Sequence, residues 1–144
     1  MKARIKWVEH ASFVAESGSG HALLLDGAPE HGGRNLGIRP MEAVLIGLGG
    51  CTAFDVVAIL RKSRQAVTDC VVELSADRAD EAPRVFTRIH MIYRVRGRDL
   101  GEPQVRRAVS LSAEKYCSAT AMLKNSVEIT HDVVIEEEAV RHDA

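Results

Sequence analysis

The feature that most constrains this chain is one apolar stretch, residues 39–62, which reads RPMEAVLIGLGGCTAFDVVAILRK. Its length and composition predict a single long helix with Pro40 in the first turn, where a missing N–H costs nothing. Apolar side chains recur on every side of this helix, so no polar face of ordinary width remains. Because a helix that is apolar all round is normally buried, we predict a buried helix around which the rest of the chain is organised.

The ends of the predicted helix are well specified, but its middle is not. Glu42 lies at the positive end of the helix dipole, and basic residues lie at the negative end. Three glycines at positions 47, 49 and 50 each cost about 1 kcal/mol relative to alanine in a helix interior. Such a cluster beside Cys51 indicates that another part of the protein approaches the helix backbone closely.

Length and charge narrow the class of protein. The chain of 144 residues suits one domain, and its net charge of −1 shows no electrostatic footprint for nucleic acid or an anionic membrane. The N-terminus MKARIKWVEH alternates charged and apolar residues and does not resemble a signal peptide. Residues 40–60 are long enough to test as a membrane span, but Glu42 and Asp55 favour a helix of a soluble domain. We expect a cytoplasmic protein with reduced cysteines.

Alternating apolar and polar residues predict strands on both sides of the helix. Residues 3–9 have the period of a half-buried strand, and short strands near Phe13 and at 21–25 complete an antiparallel meander. Strands are also predicted at 67–77, 84–96 and 127–135, with a helix over 102–116, a short helix capped by Ser118, and a loose tail from Glu136. The predicted inward residues of the two long strands are Cys70, Val72, Leu74 and Ala76, followed by Val85, Ile89, Met91, Tyr93 and Val95.

The predicted order, βββ-α-ββ-αα-β, indicates an α+β fold with antiparallel strands packed around the long helix. We predict one domain, residues 1–144, made of an N-terminal meander and loop (1–38), the central helix (39–64) and a second αβ half (66–138). A helix of about 23 residues is roughly 35 Å long, which is as long as a domain of this size is wide. A second subunit would cover its circumference more easily, so we predict a homodimer.

Motifs for metals, phosphates and serine hydrolysis are absent from the sequence. The six histidines show no i,i+4 pair and no zinc spacing with the three cysteines, and there is no C-x-x-C. There is no G-x-x-x-x-G-K, no dinucleotide fingerprint after a strand and no nucleophile elbow. We expect neither a metal nor a cofactor, and the cysteines remain as candidates for chemistry.

The three cysteines differ in their surroundings. Cys70 fits a small core hydrophobe on a strand. Cys51 lies too far from either helix end for the dipole to help, and Asp55 one turn later would raise its thiol pKa, so activation needs a distant cation. Cys117 precedes a helix whose N–H groups could stabilise a thiolate. Spacing alone leaves open inert core cysteines, a Cys51/Cys117 redox pair, and a thiol hydrolase that uses Cys51 with a histidine base.

Two motifs resemble those of the OsmC/Ohr family, named for osmotic induction and organic hydroperoxide resistance. The first is P-M-E-x(8)-C-x(3)-D-V, which begins at Pro40 and contains Cys51, and the second is E-K-Y-C-S at residues 114–118. The order of elements and the wide separation of the two cysteines match the family along essentially the whole chain.

The resemblance implies an OsmC-like fold, an intertwined homodimer with shared active sites, and a thiol peroxidase that reduces organic hydroperoxides. Cys51 would attack the hydroperoxide and become a sulfenic acid, and Cys117 would resolve it to a disulfide. A dithiol reductant, such as a lipoyl protein, would regenerate the pair. The alternative is a weak or inactive member that binds a small apolar ligand near Cys51.

Peroxidase members of this family activate the thiol with an arginine that a glutamate holds. The closest candidates here are Arg34 and then Arg39, both in the loop before the helix, although both also fit solvated loop residues. The family glutamate follows the proline directly, whereas here Met41 holds that position and Glu42 comes next. In a regular helix Glu42 lies about 180° from Cys51, so it is either the partner of the arginine or only an N-terminal charge.

Overall fold

The computed structural model describes residues 1–139, and its elements follow the predicted order and the predicted α+β class. The strands are β1 (Ala3–Glu9), β2 (Ser12–Ser17), β3 (Ala22–Leu25), β4 (Ala66–Arg78), β5 (Phe86–Arg98) and β6 (Glu128–Glu137). The helices are α1 (Pro40–Lys62), α2 (Glu102–Leu111) and α3 (Ser118–Leu123), with a 3-10 turn at Pro29–His31 and a π-helical turn at Ser112–Tyr116. Two compact units are present, one of residues 1–46 and one that begins at Gly47.

The first unit is an antiparallel meander in the order β1-β2-β3, as predicted. The predicted half-burial of β1 is wrong for this chain, because every residue of the strand is exposed, including Trp7 at 60%. The loop after β3 is held by Asp26, whose carboxylate accepts backbone N–H groups of Gly27 and Leu36 at 2.7 and 3.1 Å. Burial raises the pKa of Asp26, but these N–H donors outweigh it and hold the pKa below its ordinary value.

The second unit contains a sheet in the order β4-β5-β6. The strands β4 and β5 are antiparallel, whereas β6 is parallel to β5, so the prediction of antiparallel strands throughout is wrong. The connection through α2 and α3 returns the chain to the end of the sheet at which β5 began, and such a crossover produces a parallel pair.

Most of the predicted inward face of this sheet is confirmed. The β5 side chains Ile89, Met91, Tyr93 and Val95 are at most 1% exposed, and the corresponding β4 side chains are half-buried. Val85 is 52% exposed because β5 begins only at Phe86. The predicted loose tail from Glu136 is wrong at its start, because β6 continues to Glu137; positions 140–144 lie outside the described residues.

Helix α1 spans Pro40–Lys62, close to its predicted bounds, but its predicted burial on all sides is wrong for the single chain. One face is buried, through Leu48, Gly49, Thr52, Val56 and Leu60. Apolar side chains on its other sides are exposed, with Phe54 at 77%. The apolar surface of a single chain therefore covers only one side of α1. The length and apolar composition of α1 would also allow it to cross a membrane. Core helices of soluble proteins meet the same two criteria.

The predicted close approach to the glycine cluster occurs at one glycine of the three. A Cβ on Gly49 would lie 2.6 Å from Leu74 Cδ1, which is closer than side-chain atoms pack. A Cβ on Gly47 or Gly50 would meet nothing within 4 Å. Gly49 therefore lets strand β4 pack against α1, and the other two glycines face open space in this chain.

Candidate active site

Two cysteines that are far apart in the sequence meet in the second unit. Cys51 and Asp55 lie one turn apart on the same face of α1, the spacing that brings helical side chains together. Cys117 joins them from the start of α3. The two sulfur atoms and a carboxylate oxygen of Asp55 all lie within 4.8 Å of one another. Both thiols are free, Cys51 is half-buried, and Cys117 is 2% exposed.

Cys117 itself caps helix α3, a role that the sequence pattern had placed on Ser118. Its backbone is extended, and its sulfur accepts the N–H of Thr120 at 3.4 Å. Burial raises the pKa of the Cys117 thiol, and the hydroxyl and N–H of Thr120 act in the opposite direction. The nearby Cys51 adds to the rise. The net effect is a raised pKa of the Cys117 thiol, which the N–H of Thr120 offsets only in part.

A buried chain of hydroxyl groups ends on the carboxylate of Asp55. Ser112 donates to Asp55 Oδ2 at 3.1 Å and lies 2.8 Å from the Thr52 hydroxyl, which lies 2.7 Å from the Tyr93 hydroxyl. Because an ionised carboxylate only accepts hydrogen bonds, the chain runs in one direction, from Tyr93 through Thr52 and Ser112 to Asp55. Burial raises the pKa of Tyr93, which keeps that hydroxyl protonated as the first donor.

The π-helical turn places Ser112 in the chain of hydroxyl groups. Ser112 is its first residue, and Cys117 follows its last residue, so the turn joins the hydroxyl chain to the second thiol. Single π-helical turns inside helices are frequent at functional sites. The sequence had predicted one regular helix over 102–116 and did not indicate the turn. It also missed Thr52, since its partners Tyr93 and Ser112 are 41 and 60 positions away.

The third cysteine, Cys70, fits its predicted role as a small core residue. It is half-buried on β4, and burial, followed by the charge of Asp69, raises the pKa of its thiol. An uncharged thiol in apolar surroundings is inert as a nucleophile.

The predicted activating arginines lie in the first unit, where each has other partners. The Arg34 guanidinium pairs with the carboxylate of Glu9, and this hydrogen bond and charge lower the pKa of Glu9. Arg39 donates to Asn35 Oδ1 at 2.8 Å and to the carbonyl of Gly37 at 3.2 Å. Both guanidinium groups thus have partners within the loop and meander of the first unit.

Glu42 acts as a helix cap in this unit. Its Oε1 accepts the backbone N–H of Arg39, the residue before the helix, at 2.8 Å. This is the reach-back half of a capping box, in which the third helical residue satisfies a free N–H at the helix start. Glu42 therefore has a structural role whether or not it also serves a thiol.

Cys51, Asp55 and Cys117 form a group that we call the cysteine cluster. An open cleft of about 560 Å³ lies beside this cluster, and Asp55 belongs to its lining. Its apolar lining comes from α1, α2 and the π-helical turn, and Tyr116 at its edge is 52% exposed. A larger cleft of about 830 Å³ lies among charged residues at the ends of β5 and β6 and contains none of the cluster. The lining of the smaller cleft is Asp55, Ala58, Ile59, Lys62, Ser63, Leu111 and Tyr116.

His90 and His131, the histidines of the second unit that the structure describes, have other neighbours. His90 bonds to Thr130 at 2.7 Å and to Asp132 at 3.1 Å, and His131 packs edge-on against the Tyr93 ring. Within residues 47–139, no histidine hydrogen-bonds to either thiol of the cluster. Residues 47–139 therefore provide no histidine base for a thiol hydrolase at this cluster.

Comparison with known proteins identifies the family. A model of OsmC-like proteins matches residues 32–132. The chain belongs to the OsmC-like family. It is 53% identical to protein YhfA of Escherichia coli strain K12 over 134 residues, which cover 91% of this chain and 95% of YhfA. The resemblance inferred from the P-M-E and E-K-Y-C-S motifs is confirmed.

Solved structures show the OsmC-like fold along nearly the whole chain. A hypothetical protein from Aquifex aeolicus VF5 is 30% identical, with a TM-score of 0.78 over 93% of this chain and 96% of its own. The organic hydroperoxide resistance protein OhrB of Bacillus subtilis is 16% identical, with a TM-score of 0.62 over 92% of this chain and 98% of its own. At that identity OhrB shows a shared fold alone.

Proposed function

We propose that this protein is a cytoplasmic thiol peroxidase that reduces organic hydroperoxides through Cys51 and Cys117. The observation that carries the proposal is the approach of two free thiols, 66 positions apart, to within 4.8 Å. The name of OhrB describes organic hydroperoxide resistance in a distant relative with the same fold. Family membership and this pair of thiols together favour disulfide chemistry over two inert core cysteines.

The proposed cycle begins at Cys51, which is the more accessible thiol of the pair. Its thiolate attacks the terminal peroxide oxygen, the O–O bond breaks, and the alkoxide leaves as an alcohol after taking up a proton. The thiolate of Cys117 then attacks the Cys51 sulfenic sulfur, forming a disulfide while hydroxide leaves and is protonated to water. A dithiol reductant, such as a lipoyl protein, returns two electrons to the disulfide and restores both thiols.

The two thiols receive different help in this cycle. Burial raises the pKa of the Cys117 thiol, and the N–H of Thr120 offsets part of that rise when Cys117 attacks the sulfenic acid. Cys51 lies beside the Asp55 carboxylate. Because a nearby cation favours a reactive thiolate, we propose that Arg34 or Arg39 approaches Cys51, with Glu42 as the group that holds the arginine.

The direct test uses the reduced wild-type protein and cumene hydroperoxide. We expect Cys51 and Cys117 to disappear together from a count of free thiols within minutes, with one molecule of alcohol formed per disulfide. Cys70 should remain reduced because it lies in an apolar face of β4. Retention of all three thiols on that timescale contradicts the proposal, and mass spectrometry of the digested protein assigns the disulfide.

We also propose a homodimer that shares its active sites across the subunit interface. Large apolar side chains are exposed on α1, with Ile46 at 58% and Phe54 at 77%, and on β1, with Trp7 at 60%. Exposed apolar surface of this extent on a helix is typical of protein–protein interfaces. The open space beside Gly47 and Gly50 leaves room for a second backbone to approach α1.

The dimer predicts a strong effect of a charge at Phe54. We expect Phe54→Glu to convert the dimer to monomer, because the carboxylate would lose its hydration at the interface. Light scattering after size-exclusion chromatography measures the mass. The matched control is Arg107→Glu on the exposed side of α2, which should leave the mass unchanged. A wild-type mass equal to that of one chain, 15.7 kDa, contradicts the dimer.

The alternative function is binding of a small apolar ligand beside Cys51. The cleft bordered by Asp55 favours it, since much of its lining is aliphatic or aromatic. A ligand-binding protein would shift its melting temperature with an apolar ligand and leave hydroperoxide unconsumed. Consumption of hydroperoxide with formation of the Cys51–Cys117 disulfide favours the peroxidase instead.

A further inference from the structure

We propose that Cys51, Asp55 and Cys117 form a binding site for Zn²⁺ in the reduced protein. Two thiolates and one carboxylate are a ligand set that suits Zn²⁺, whereas Mg²⁺ and Ca²⁺ require oxygen ligands. No spacing in the sequence indicates this site, because zinc spacings are recognised from histidines and paired cysteines. Here one ligand is an aspartate, and the second cysteine comes from another helix.

The arrangement needs only a small contraction to hold the ion. Zinc bonds of about 2.3 Å to sulfur and about 2.0–2.2 Å to oxygen place tetrahedral ligand atoms roughly 3.3–3.8 Å apart. The three ligand atoms already lie within 4.8 Å of one another. Two of them come from one face of α1, one turn apart, so the helix itself fixes their spacing. Rotation of the Cys51 side chain, with a small shift of the Asp55 carboxylate that keeps its hydrogen bond to Ser112, supplies the remaining adjustment.

Hydrogen bonds behind the ligands hold two of them in place. Ser112 donates to Oδ2 of Asp55, which orients the carboxylate and leaves Oδ1 free for a metal. Thr52 and Tyr93 hold Ser112 from behind, and all three are fully buried. The N–H of Thr120 donates to the sulfur of Cys117. Such outer hydrogen bonds fix ligand geometry and strengthen metal binding in known sites.

Three protein ligands leave the fourth zinc position open. A water molecule or an external thiol can fill that position from the cleft, which Asp55 borders. Structural zinc sites are closed by four protein ligands, whereas sites with three keep an exchangeable position. We therefore assign an exchangeable site, in which zinc binds when both thiols are reduced and each thiol releases its proton to solvent.

The site links metal binding to the redox state of the two thiols, and this consequence rests on the proposed function. When a hydroperoxide oxidises the zinc-bound pair, the two thiolates lose two electrons and form a disulfide. The hydroperoxide takes up these electrons and two protons to become an alcohol and water, and Zn²⁺ leaves because a disulfide is a poor ligand. Zinc and hydroperoxide therefore compete for the same thiols.

The experiment uses Co²⁺ as a spectroscopic probe of the reduced, metal-free protein. We expect one Co²⁺ per chain, with a thiolate-to-cobalt charge-transfer band in the near ultraviolet and the visible bands of tetrahedral cobalt. Added Zn²⁺ should remove both features. Cys51→Ser and Cys117→Ser should each lose most of the charge-transfer band, and Cys70→Ser, the matched control, should keep the wild-type spectrum.

Variants of Asp55, the oxygen ligand, and of Ser112, which donates a hydrogen bond to it, test the site more specifically than the cysteine variants. Asp55→Asn should weaken Co²⁺ binding roughly tenfold or more, and Ser112→Ala should weaken it by roughly ten- to a hundredfold through loss of the outer hydrogen bond. Asp69→Asn, which changes a carboxylate next to Cys70, should bind as the wild type does. Circular dichroism and melting curves confirm that each variant is folded before titration.

Three results would overturn the site. They are a wild-type titration without charge transfer, a spectrum that Cys70→Ser alone abolishes, and an Asp55→Asn variant with wild-type affinity. Because the titration contains no hydroperoxide, it can succeed if the peroxidase proposal fails. Conversely, hydroperoxide consumption without cobalt binding would overturn the metal site alone.

Discussion

Cys51→Ser is expected to stop hydroperoxide consumption, with a loss on the order of 10³-fold or more, as removal of a nucleophile causes in other enzymes. The serine hydroxyl has nearly the shape of the thiol but cannot form a sulfenic acid. Cys117→Ser should behave differently, because its Cys51 remains able to attack. This variant should consume about one equivalent of hydroperoxide and then stop, with Cys51 left as a sulfenic acid.

The difference between the two variants is measured with a limiting dithiol reductant and a probe that labels sulfenic acids. Mass spectrometry should find the label on Cys51 in the Cys117→Ser variant and no label in Cys51→Ser. Cys70→Ser is the matched control and should turn over at the wild-type rate. The assigned roles are reversed if the label appears on Cys117 in the Cys51→Ser variant, and a Cys117→Ser variant with full turnover removes Cys117 from the cycle.

The sequence predicted local structure well wherever one pattern determined it. The period of two in β4 and β5 placed their inward faces, and Pro40 and Glu42 marked the start of α1, where Glu42 caps the helix. Patterns that report only local burial did not predict how distant segments pair. The parallel pairing of β6 depends on the path of the chain through two helices, and no periodicity encodes that path.

The candidate site was predictable in part. The P-M-E and E-K-Y-C-S motifs pointed to Cys51 and Cys117, and the structure places these thiols together. In the sequence, Asp55 is recognisable only as a negative charge one helical turn after Cys51. Its hydrogen-bond chain could not be inferred, because threonine, serine and tyrosine at unrelated positions carry no spacing rule. The hydrogen-bond chain forms because the fold brings Thr52 of α1 to Tyr93 of β5 and to Ser112 of the π-helical turn.

The apolar composition of α1 does not lead to burial of the helix on every side by a single chain. An α1 that is apolar all round predicted complete burial, yet the single chain leaves Phe54 and Ile46 in solvent. Leaving both side chains exposed forgoes about 1.5–3 kcal/mol of stabilisation for each relative to full burial. This free energy is available to an association that covers both side chains, and it is the physical basis of the proposed dimer.

Thr52→Val is expected to destabilise the protein by about 2–4 kcal/mol, since an unsatisfied buried polar group costs roughly 1–3 kcal/mol and the two hydroxyls bonded to Thr52 are both buried. Valine keeps the shape of threonine but removes the central hydroxyl of the chain. Tyr93 would keep only the weak Met91 sulfur contact at 3.8 Å, and Ser112 would lose its donor. Tyr93→Phe should cost less, about 1 kcal/mol, because Thr52 would keep its bond to Ser112.

Equilibrium unfolding in urea at one fixed protein concentration measures these differences, since a dimer makes stability depend on concentration. Thr52→Ser, which keeps the hydroxyl, is the matched control and should cost about 1 kcal/mol for its lost methyl group. The double variant Thr52→Val/Tyr93→Phe should be less destabilised than the sum of the single variants, since residues in one hydrogen-bond network are coupled. Equal stability of Thr52→Val and Thr52→Ser would mean that the hydroxyl chain does not stabilise the fold, and Asp55 would then be oriented by its place on α1 alone.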